Sequence, residues 1–283
     1  KPRYHARHAA LVRARAAGAA VVLGSATPDL ESWLNADQGR YDLVELTDRP
    51  VGRLPVVEIV DLREEPSRDG FSRLLLGRIE QSLDRERQVI VYYNRRGYAR
   101  ALQCVSCGEA VLCPSCDIGL TLHLRPRRLL CHYCGFSRPA PDTCPSCNEP
   151  EPAPSGGGTE KVELALAAHF PDARILRLDH DTTRTRGSHA RILSDFAKGG
   201  ADILVGTQMV AKGHHFPGVD LVGVLAADDG LHMPDFRAQE RAFQLLTQVA
   251  GRTGREDAGT VVFQTYQPEH PVIVAASVHD YDT

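Results

Sequence analysis

The 283-residue sequence contains only four lysines, Lys1, Lys161, Lys198 and Lys212, and none of them follows a glycine. A P-loop requires the pattern G-x-x-x-x-G-K-[ST], because its backbone amides and its lysine hold the nucleotide phosphates. The sequence also lacks the patterns DExD and DExH, which supply the usual magnesium-organising acid of nucleotide-driven motors. On its own, the chain is therefore not expected to hydrolyse ATP.

Two further absences indicate the cellular environment of the protein and the kinds of partner it can bind. The sequence has no signal peptide and no apolar run long enough to span a bilayer, so we expect no membrane partner and a cytoplasmic environment that keeps thiols reduced. The formal net charge is −3, which is not the overall charge of a nucleic-acid-binding protein. Any contact with DNA must therefore come from local basic patches.

All eight cysteines lie between Cys104 and Cys147, in four CxxC pairs at positions 104/107, 113/116, 131/134 and 144/147. One CxxC pair supplies half of a tetrahedral zinc site, so four pairs indicate two zinc ions. Redox chemistry is the rival interpretation of a single pair, but it is disfavoured for four pairs in so short a segment. Because every ligand is a cysteine, the predicted sites are structural.

The spacing of the pairs favours a nested arrangement. Fourteen residues separate the two inner pairs, which is typical of a zinc ribbon, and the outer pairs then close around them. One ion is predicted to bind Cys104, Cys107, Cys144 and Cys147, and the other Cys113, Cys116, Cys131 and Cys134. A sequential arrangement that joins 104/107 with 113/116 leaves only five residues between the pairs, and it stays open as the alternative.

Other polar residues of this segment have a less specific meaning. His123 and His132 are interpreted as surface residues or as supports of the ligands, and not as ligands themselves. Four arginines give the segment a basic surface, which suits DNA phosphates and ordinary solvated surface equally well: Arg125, Arg127, Arg128 and Arg138.

The stretch from Gln248 to Arg255 reads QVAGRTGR. In a helix, Gln248, Arg252 and Arg255 would share one stripe, where two guanidinium groups and an amide suit a row of phosphate oxygens. The alternative is a helix end with surface arginines and a glycine cap. The pattern Q-x-x-G-R-x-G-R is similar to the closing motif of superfamily 2 helicases, in which such arginines stabilise charge on a transferring phosphoryl group.

Four apolar runs precede this motif, and each leads into a glycine-rich or polar segment. Residues 19–23 lead into GSATP, residues 89–92 into NRRGY, residues 203–205 into GTQM and AKG, and residues 220–226 into two aspartates. The runs predict buried strands, and their alternation with helices predicts a parallel sheet covered by helices. Ligands bind beyond the carboxyl ends of such strands, where these segments lie.

The same alternation predicts five segments. Residues 1–50, in the order helix, strand, helix, strand, are expected to end a first helicase lobe, and residues 51–72 to connect it to a second. The second lobe begins at 73–100, is interrupted by the cysteine-rich insertion at 101–150, and continues over 151–283. A helix predicted over 71–87 directs four apolar side chains inward: Leu74, Leu75, Ile79 and Leu83.

Taken together, these stretches resemble the PriA family of primosomal replication-restart helicases, in superfamily 2, over essentially the whole chain. Further matching stretches are RYHAR at 3–7, GSATPDLESW at 24–33, LTLH at 120–123, CHYCG at 131–135, GTE at 158–160, FPGVDLVGVL at 216–225, PDFRAQER at 234–241 and QTYQPEHPV at 264–272. The resemblance implies an α/β fold: a RecA-like parallel-sheet lobe with an inserted two-zinc, ribbon-like module, plus the tail of the preceding RecA-like lobe. It also implies the nested zinc pairing.

The resemblance assigns roles residue by residue. The catalytic residues that would face the nucleotide phosphates are Gln248, Arg252 and Arg255. Residues that would line the nucleotide cleft or couple the two lobes are Gly24, Ser25, Thr27, Gly206 and Thr207. Residues that would contact DNA are Lys212 and, at the tail of an aromatic loop that senses single-stranded DNA, Tyr4, His5 and Arg7.

The implied activity is that of an ATP-dependent 3′-to-5′ DNA helicase that recognises stalled or collapsed replication forks and initiates primosome assembly. Its cofactors would be ATP, Mg²⁺ and two structural Zn²⁺ ions. Its partners would be single-stranded and forked DNA, other primosome and replication-restart proteins, and the single-stranded-DNA-binding protein. We expect the chain to be a segment of a longer bacterial helicase that is monomeric and is located at the nucleoid. Two alternatives stay open: a fork-binding scaffold that no longer turns over ATP, and a zinc-ribbon binding module.

Overall fold

A computed structural model describes most of the chain. The described residues are 5–46, 54–93, 102–104, 106–124, 127–150, 153–154, 158–179, 182–183, 185, 187–207, 216–231, 233, 235–253 and 259–281. They fall into two compact units, residues 1–45 and residues 46–283. Among the described residues, every helix is too short or too polar to cross a bilayer.

The described residues contain seven helices and eleven strands. The helices are α1 (Ala6–Ala17), α2 (Leu30–Asp37), α3 (Arg73–Asp84), α4 (Thr159–His169), α5 (Ser188–Ala197), α6 (Ala238–Ala250) and α7 (Pro271–Ser277). The strands are β1 (Val56–Asp61), β2 (Gln88–Tyr92), β3 (Leu102–Gln103), β4 (Thr121–Leu124), β5 (Arg127–Leu130), β6 (Ser137–Pro139), β7 (Ala153–Pro154), β8 (Ile175–Leu178), β9 (Ile203–Gly206), β10 (Val219–Val224) and β11 (Thr260–Thr265).

The first unit contains α1 and α2. Gly18 ends α1 in the left-handed conformation, and the Asp29 side chain caps α2 by accepting the Ser32 N–H at 2.8 Å. The strands predicted in this unit are absent from residues 5–46, so that prediction is wrong. The run at residues 19–23 has no regular secondary structure, and its Val22 is 94% exposed. A strand requires a neighbouring strand for its backbone groups, and no described residue of this unit supplies one.

The second unit is built on a six-stranded parallel sheet in the order β1-β11-β10-β2-β9-β8. The central strands, such as β2 with the sequence QVIVY, are apolar on both faces and buried, as expected of a parallel sheet that helices cover on both sides. One core cluster joins alternate strand residues to α5, α6 and α7, and the other joins the intervening residues to α3 and α4. The predicted α/β fold with a parallel sheet is therefore confirmed.

Two predictions about the start of this unit need correction. Residues 56–61, predicted as part of the connector, form the edge strand β1, paired in parallel register with β11. The prolines and charges around this β-branched stretch resemble a linker, and only the pairing identifies it as a strand. Helix α3 begins at Arg73, where the Ser72 side chain accepts the Leu75 N–H at 3.1 Å. Its Leu75 and Ile79 are buried as predicted, but Leu74 is exposed.

The cysteine-rich module is inserted between β2 and β8. It contains a small antiparallel sheet of β4, β5 and β6, and a short antiparallel pair of β3 and β7. Its own apolar core includes Leu102, Leu120 and Leu129 together with Cys113 and Cys131. So small a core is typical of a module that depends on metal for its folding.

Candidate functional site

Each of the four CxxC pairs forms the same tight turn. The carbonyl of the first cysteine accepts the N–H of the residue four positions later, over 2.9 to 3.0 Å: Gly108 to Cys104, Asp117 to Cys113, Gly135 to Cys131 and Asn148 to Cys144. Each of these donors has a positive φ, between 55° and 79°. Glycine, aspartate and asparagine tolerate this left-handed conformation best. The residue after each second cysteine is therefore a further sequence signal for the turn, which the spacing of the cysteines alone does not reveal.

The turns bring the eight thiols together in two groups of four. The outer cluster consists of Cys104, Cys107, Cys144 and Cys147, and the inner cluster consists of Cys113, Cys116, Cys131 and Cys134. Within each cluster the sulfur atoms all lie within 4.8 Å of one another. The nested arrangement is confirmed, and the sequential alternative is wrong.

The sulfur spacing fits a tetrahedral zinc ion. The Sγ atoms of Cys104 and Cys147, of Cys107 and Cys144, and of Cys113 and Cys134 are each 3.7 Å apart. A tetrahedron with zinc–sulfur bonds of about 2.3 Å has edges of about 3.8 Å. The donor set of four cysteines is also typical of structural zinc, so both clusters fit this metal.

The thiols of each cluster differ in acidity. Burial raises the pKa of Cys107 and of Cys116 to about 12. Burial also raises the pKa of Cys131, but the N–H groups of Cys134 and Tyr133 outweigh it and lower the value to about 7. Thiols this close to one another do not all ionise without a compensating cation, so metal binding would release protons from the less acidic members.

The two histidines of the module are not ligands in either cluster. His123 and His132 face each other, with their Nε2 atoms 3.4 Å apart, and neither joins the four ligands of a cluster. Arg127 is paired with Asp142 at 2.8 Å, while Arg128 is exposed on the same strand. Arg125 lies outside the described residues.

The carboxyl ends of the parallel strands form one edge of the sheet. Gly206 ends β9, and its carbonyl accepts the Tyr93 N–H from the end of β2 at 2.9 Å. Thr207 follows, half-buried, and its N–H donates to the Leu178 carbonyl at the end of β8 over 3.4 Å. Lys212, predicted for the same site, lies outside the described residues.

The arginine motif begins in the last turn of α6 and continues beyond the end of this helix. Gln248 is exposed on the last turn, but the helix ends at Ala250, and Arg252 lies in a tighter turn in which its N–H donates to the Val249 carbonyl at 3.0 Å. Arg252 therefore lies outside the helix that carries Gln248, so the two side chains do not share one helical stripe. Glycine at position 251 disfavours further helix, and the buried Thr253 side chain directs the chain to the sheet by donating to the Val219 carbonyl at 3.1 Å. Arg255 lies outside the described residues.

The predicted residues of the first unit lie in a turn and an ion pair. The Thr27 N–H donates to the Ser25 hydroxyl at 3.1 Å, just after Gly24, in the predicted tight turn. Arg7 forms an ion pair with Asp29 and a hydrogen bond of 3.3 Å to Glu31. His5 precedes α1 as its N-terminal cap residue. Tyr4 lies outside the described residues.

Comparisons with known proteins agree with this geometry. Residues 113–139 match the family described as the PriA DNA helicase Cys-rich region (CRR) domain, and residues 159–257 match the helicase conserved C-terminal domain. The replication restart protein PriA of Bacillus subtilis (strain 168) is 48% identical over 287 residues, which cover 100% of this chain and 36% of that protein. The PriA of Synechocystis is 44% identical over 293 residues, 99% of this chain and 35% of that protein. The chain thus spans about a third of the length of these relatives.

Proposed function

Because this chain belongs to the family of the replication restart protein PriA, we propose that it is the second motor lobe, with its zinc-binding insertion, of an ATP-dependent DNA helicase. Two features found together best support the proposal. One is a parallel sheet with Gly206 and Thr207 at its carboxyl edge and the arginine motif at the end of α6. The other is the pair of four-cysteine clusters inserted after β2. The longer protein would unwind DNA in the 3′-to-5′ direction at stalled or collapsed forks and initiate primosome assembly.

The arginine motif would complete the ATP site. The P-loop and the magnesium-organising acid would come from the other lobe, since this sequence contains neither. Arg252 and Arg255 would then approach the phosphates across the cleft and stabilise the charge that develops on the transferring group, with Gln248 beside them. Closing the cleft around ATP and Mg²⁺ would move one lobe against the other.

The remaining predicted residues would serve DNA binding and coupling. Gly206, Thr207 and Lys212 would line the DNA path or the cleft, where backbone amides, a hydroxyl and an ammonium suit phosphates. Ser25 and Thr27, beside Gly24, would couple the two lobes. In the proposed DNA-sensing segment, Tyr4 and His5 would contact single-stranded DNA, and Arg7 would exchange its ion pair with Asp29 for a DNA phosphate.

Each cysteine cluster would hold one structural Zn²⁺ ion. The metal would neutralise the thiolates and cross-link the four turns, which contributes free energy to folding the module. The partners of the longer protein would be single-stranded and forked DNA, other primosome proteins and the single-stranded-DNA-binding protein. It would act as a monomer in the bacterial cytoplasm, at the nucleoid where its DNA substrates lie.

DNA-stimulated ATP hydrolysis by the longer protein tests this proposal. We expect Arg252→Ala and Arg255→Ala each to lower kcat by about a thousandfold, the effect typical of an arginine that stabilises the transferring phosphoryl group. Arg241→Ala is the matched control, because Arg241 lies on α6 and is paired with Asp235 at the surface. An unmodified protein without turnover would favour the fork-binding scaffold instead.

A further inference from the structure

The outer cluster lies directly against the carboxyl edge of the sheet. Gly108, the left-handed residue that follows Cys107, has a φ of 78°. A Cβ atom at this position would lie 2.3 Å from the carbonyl oxygen of Tyr266, the residue after β11. Only glycine allows so close an approach between the metal-binding turn and the sheet.

A buried hydrogen bond joins the module to the turn that follows β10. Gln103, on β3 just before Cys104, donates from its Nε2 atom to Oδ2 of Asp228 at 2.6 Å and to the Gly108 carbonyl at 3.1 Å. Asp228 is only 1% exposed, so its carboxylate depends on such donors. A hydrogen bond to a buried charged group is among the stronger ones in proteins.

The end of β11 takes part in the same network. Oδ2 of Asp228 also accepts the Tyr266 N–H at 3.1 Å, and the Gln267 side chain donates to the Gly108 carbonyl at 2.8 Å. The Gly108 carbonyl thus has donors from both the module and the sheet. Burial, followed by the Asp228 charge, raises the pKa of the half-buried Tyr266.

We propose that Gln103, Gly108 and Asp228 form a joint that fixes the outer cluster to the motor lobe, so that metal bound by this cluster and the carboxyl edge of the sheet stabilise each other. The proposal rests on the proposed function only for the identity of the metal. The turn from Cys104 to Cys107, when closed by metal, presents the Gly108 carbonyl to Gln103 and Gln267. Because such coupling is reciprocal, removing the Asp228 carboxylate from the turn after β10 weakens metal retention in the module.

The inner cluster provides an internal comparison. Cys113 and Cys131 are buried in the module's own core, beside Leu120 and Leu129. Cys131 directly follows β5, a strand of the module's own sheet. The joint should therefore affect the outer cluster selectively, whereas a general loss of stability should affect both clusters.

Cysteine alkylation of the zinc-loaded protein tests the proposal. After addition of a chelator, the rate at which N-ethylmaleimide modifies each cysteine is measured by peptide mass spectrometry. In Gln103→Ala and in Asp228→Ala, we expect the four outer cysteines to react about tenfold faster, the lower end of the effect of losing a hydrogen bond to a charged group. The four inner cysteines should react at the unmodified rate. The double variant should accelerate the outer cysteines by less than the product of the two single effects, because both changes remove the same contact between Gln103 and Asp228.

Gln88→Ala is the matched control. Like Gln103, Gln88 donates to two acceptors, here the backbone carbonyls of Phe196 and Ala201 at 2.8 and 2.7 Å, but both acceptors lie within the lobe. Gln88→Ala should lower the free energy of unfolding but leave the ratio of outer to inner cysteine reaction rates unchanged. The proposal would be overturned if Gln103→Ala accelerated alkylation equally in both clusters, or accelerated it in neither cluster. Gln267→Ala provides a second test if Asp228→Ala does not fold.

The assay requires neither ATP nor DNA, so it separates this inference from the proposed function. A protein that fails to hydrolyse ATP or unwind DNA, but loses outer-cluster metal selectively in the joint variants, would contradict the motor assignment and support the joint. A working helicase in which those variants leave the cysteine reaction rates unchanged would support the motor assignment and contradict the joint.

Discussion

Thr253, inside the arginine motif, offers a test of how that motif is attached to the sheet. Its side chain is 1% exposed, and its hydroxyl donates to the Val219 carbonyl at 3.1 Å. Val219 is the first residue of β10, where the register against β2 shifts between Val219 and Leu221. Replacing Thr253 with valine keeps the shape of the side chain and removes only the donor.

The expected cost follows from the burial of this contact. Leaving a buried carbonyl without its donor costs about 1–3 kcal/mol, so Thr253→Val should lower the free energy of unfolding by about that amount. Thr253→Ser keeps the hydroxyl and removes one buried methyl group, which corresponds to about 0.8 kcal/mol of apolar burial. The predicted order of stability is therefore unmodified protein, then the serine variant, then the valine variant.

Urea unfolding of the zinc-loaded protein is the appropriate assay, with the midpoint and the slope m compared across the three proteins. The midpoint should fall in the stated order while m stays unchanged, because the surface exposed on unfolding is the same. A valine variant within about 0.5 kcal/mol of the unmodified protein, or a serine variant less stable than the valine variant, would refute the role of the hydroxyl.

Three further predictions concern metal, nucleotide and pH. Metal analysis should find two zinc ions per chain and one in Cys113→Ser; a single ion in the unmodified chain would contradict the two-cluster assignment. The 283-residue chain should not turn over ATP with single-stranded DNA, since it lacks a P-loop; turnover that survives Arg252→Ala would contradict that reasoning. The hydrogen bonds from Arg63 lower the pKa of Asp61 below its ordinary 3.8. The unmodified protein should therefore have a higher free energy of unfolding than Asp61→Asn above pH about 4. This difference should disappear as the pH falls through the lowered pKa of Asp61. A difference in unfolding free energy that grows toward acid pH would contradict this pairing.

The sheet and the metal ligands could be predicted because their signals are local. A buried parallel strand such as β2 is a short apolar run in the sequence. The four CxxC pairs could be combined through the length of chain between them, and the nested combination is the one in the structure. Both inferences depend on spacing along the chain, which a single sequence displays directly.

The errors concern features that depend on distant partners. Edge strand β1 is defined by its pairing with β11, about two hundred residues later in the chain. The run at residues 19–23 has strand composition but no partner strand among the described residues of its unit. The turn that holds Arg252 after α6 depends in part on the contact of Thr253 with Val219, and the contact between Gln103 and Asp228 likewise joins residues far apart in sequence. Such contacts leave no periodic pattern in the sequence.

Strand displacement on a forked DNA substrate tests the proposal that this chain is a lobe of a DNA-unwinding motor. The longer protein should separate the strands in an ATP-dependent, 3′-to-5′ reaction, and Arg252→Ala should abolish the reaction while leaving fork binding and both zinc ions in place. Fork binding without strand separation by the unmodified protein, or unwinding that Arg252→Ala leaves unchanged, would contradict the proposed motor function.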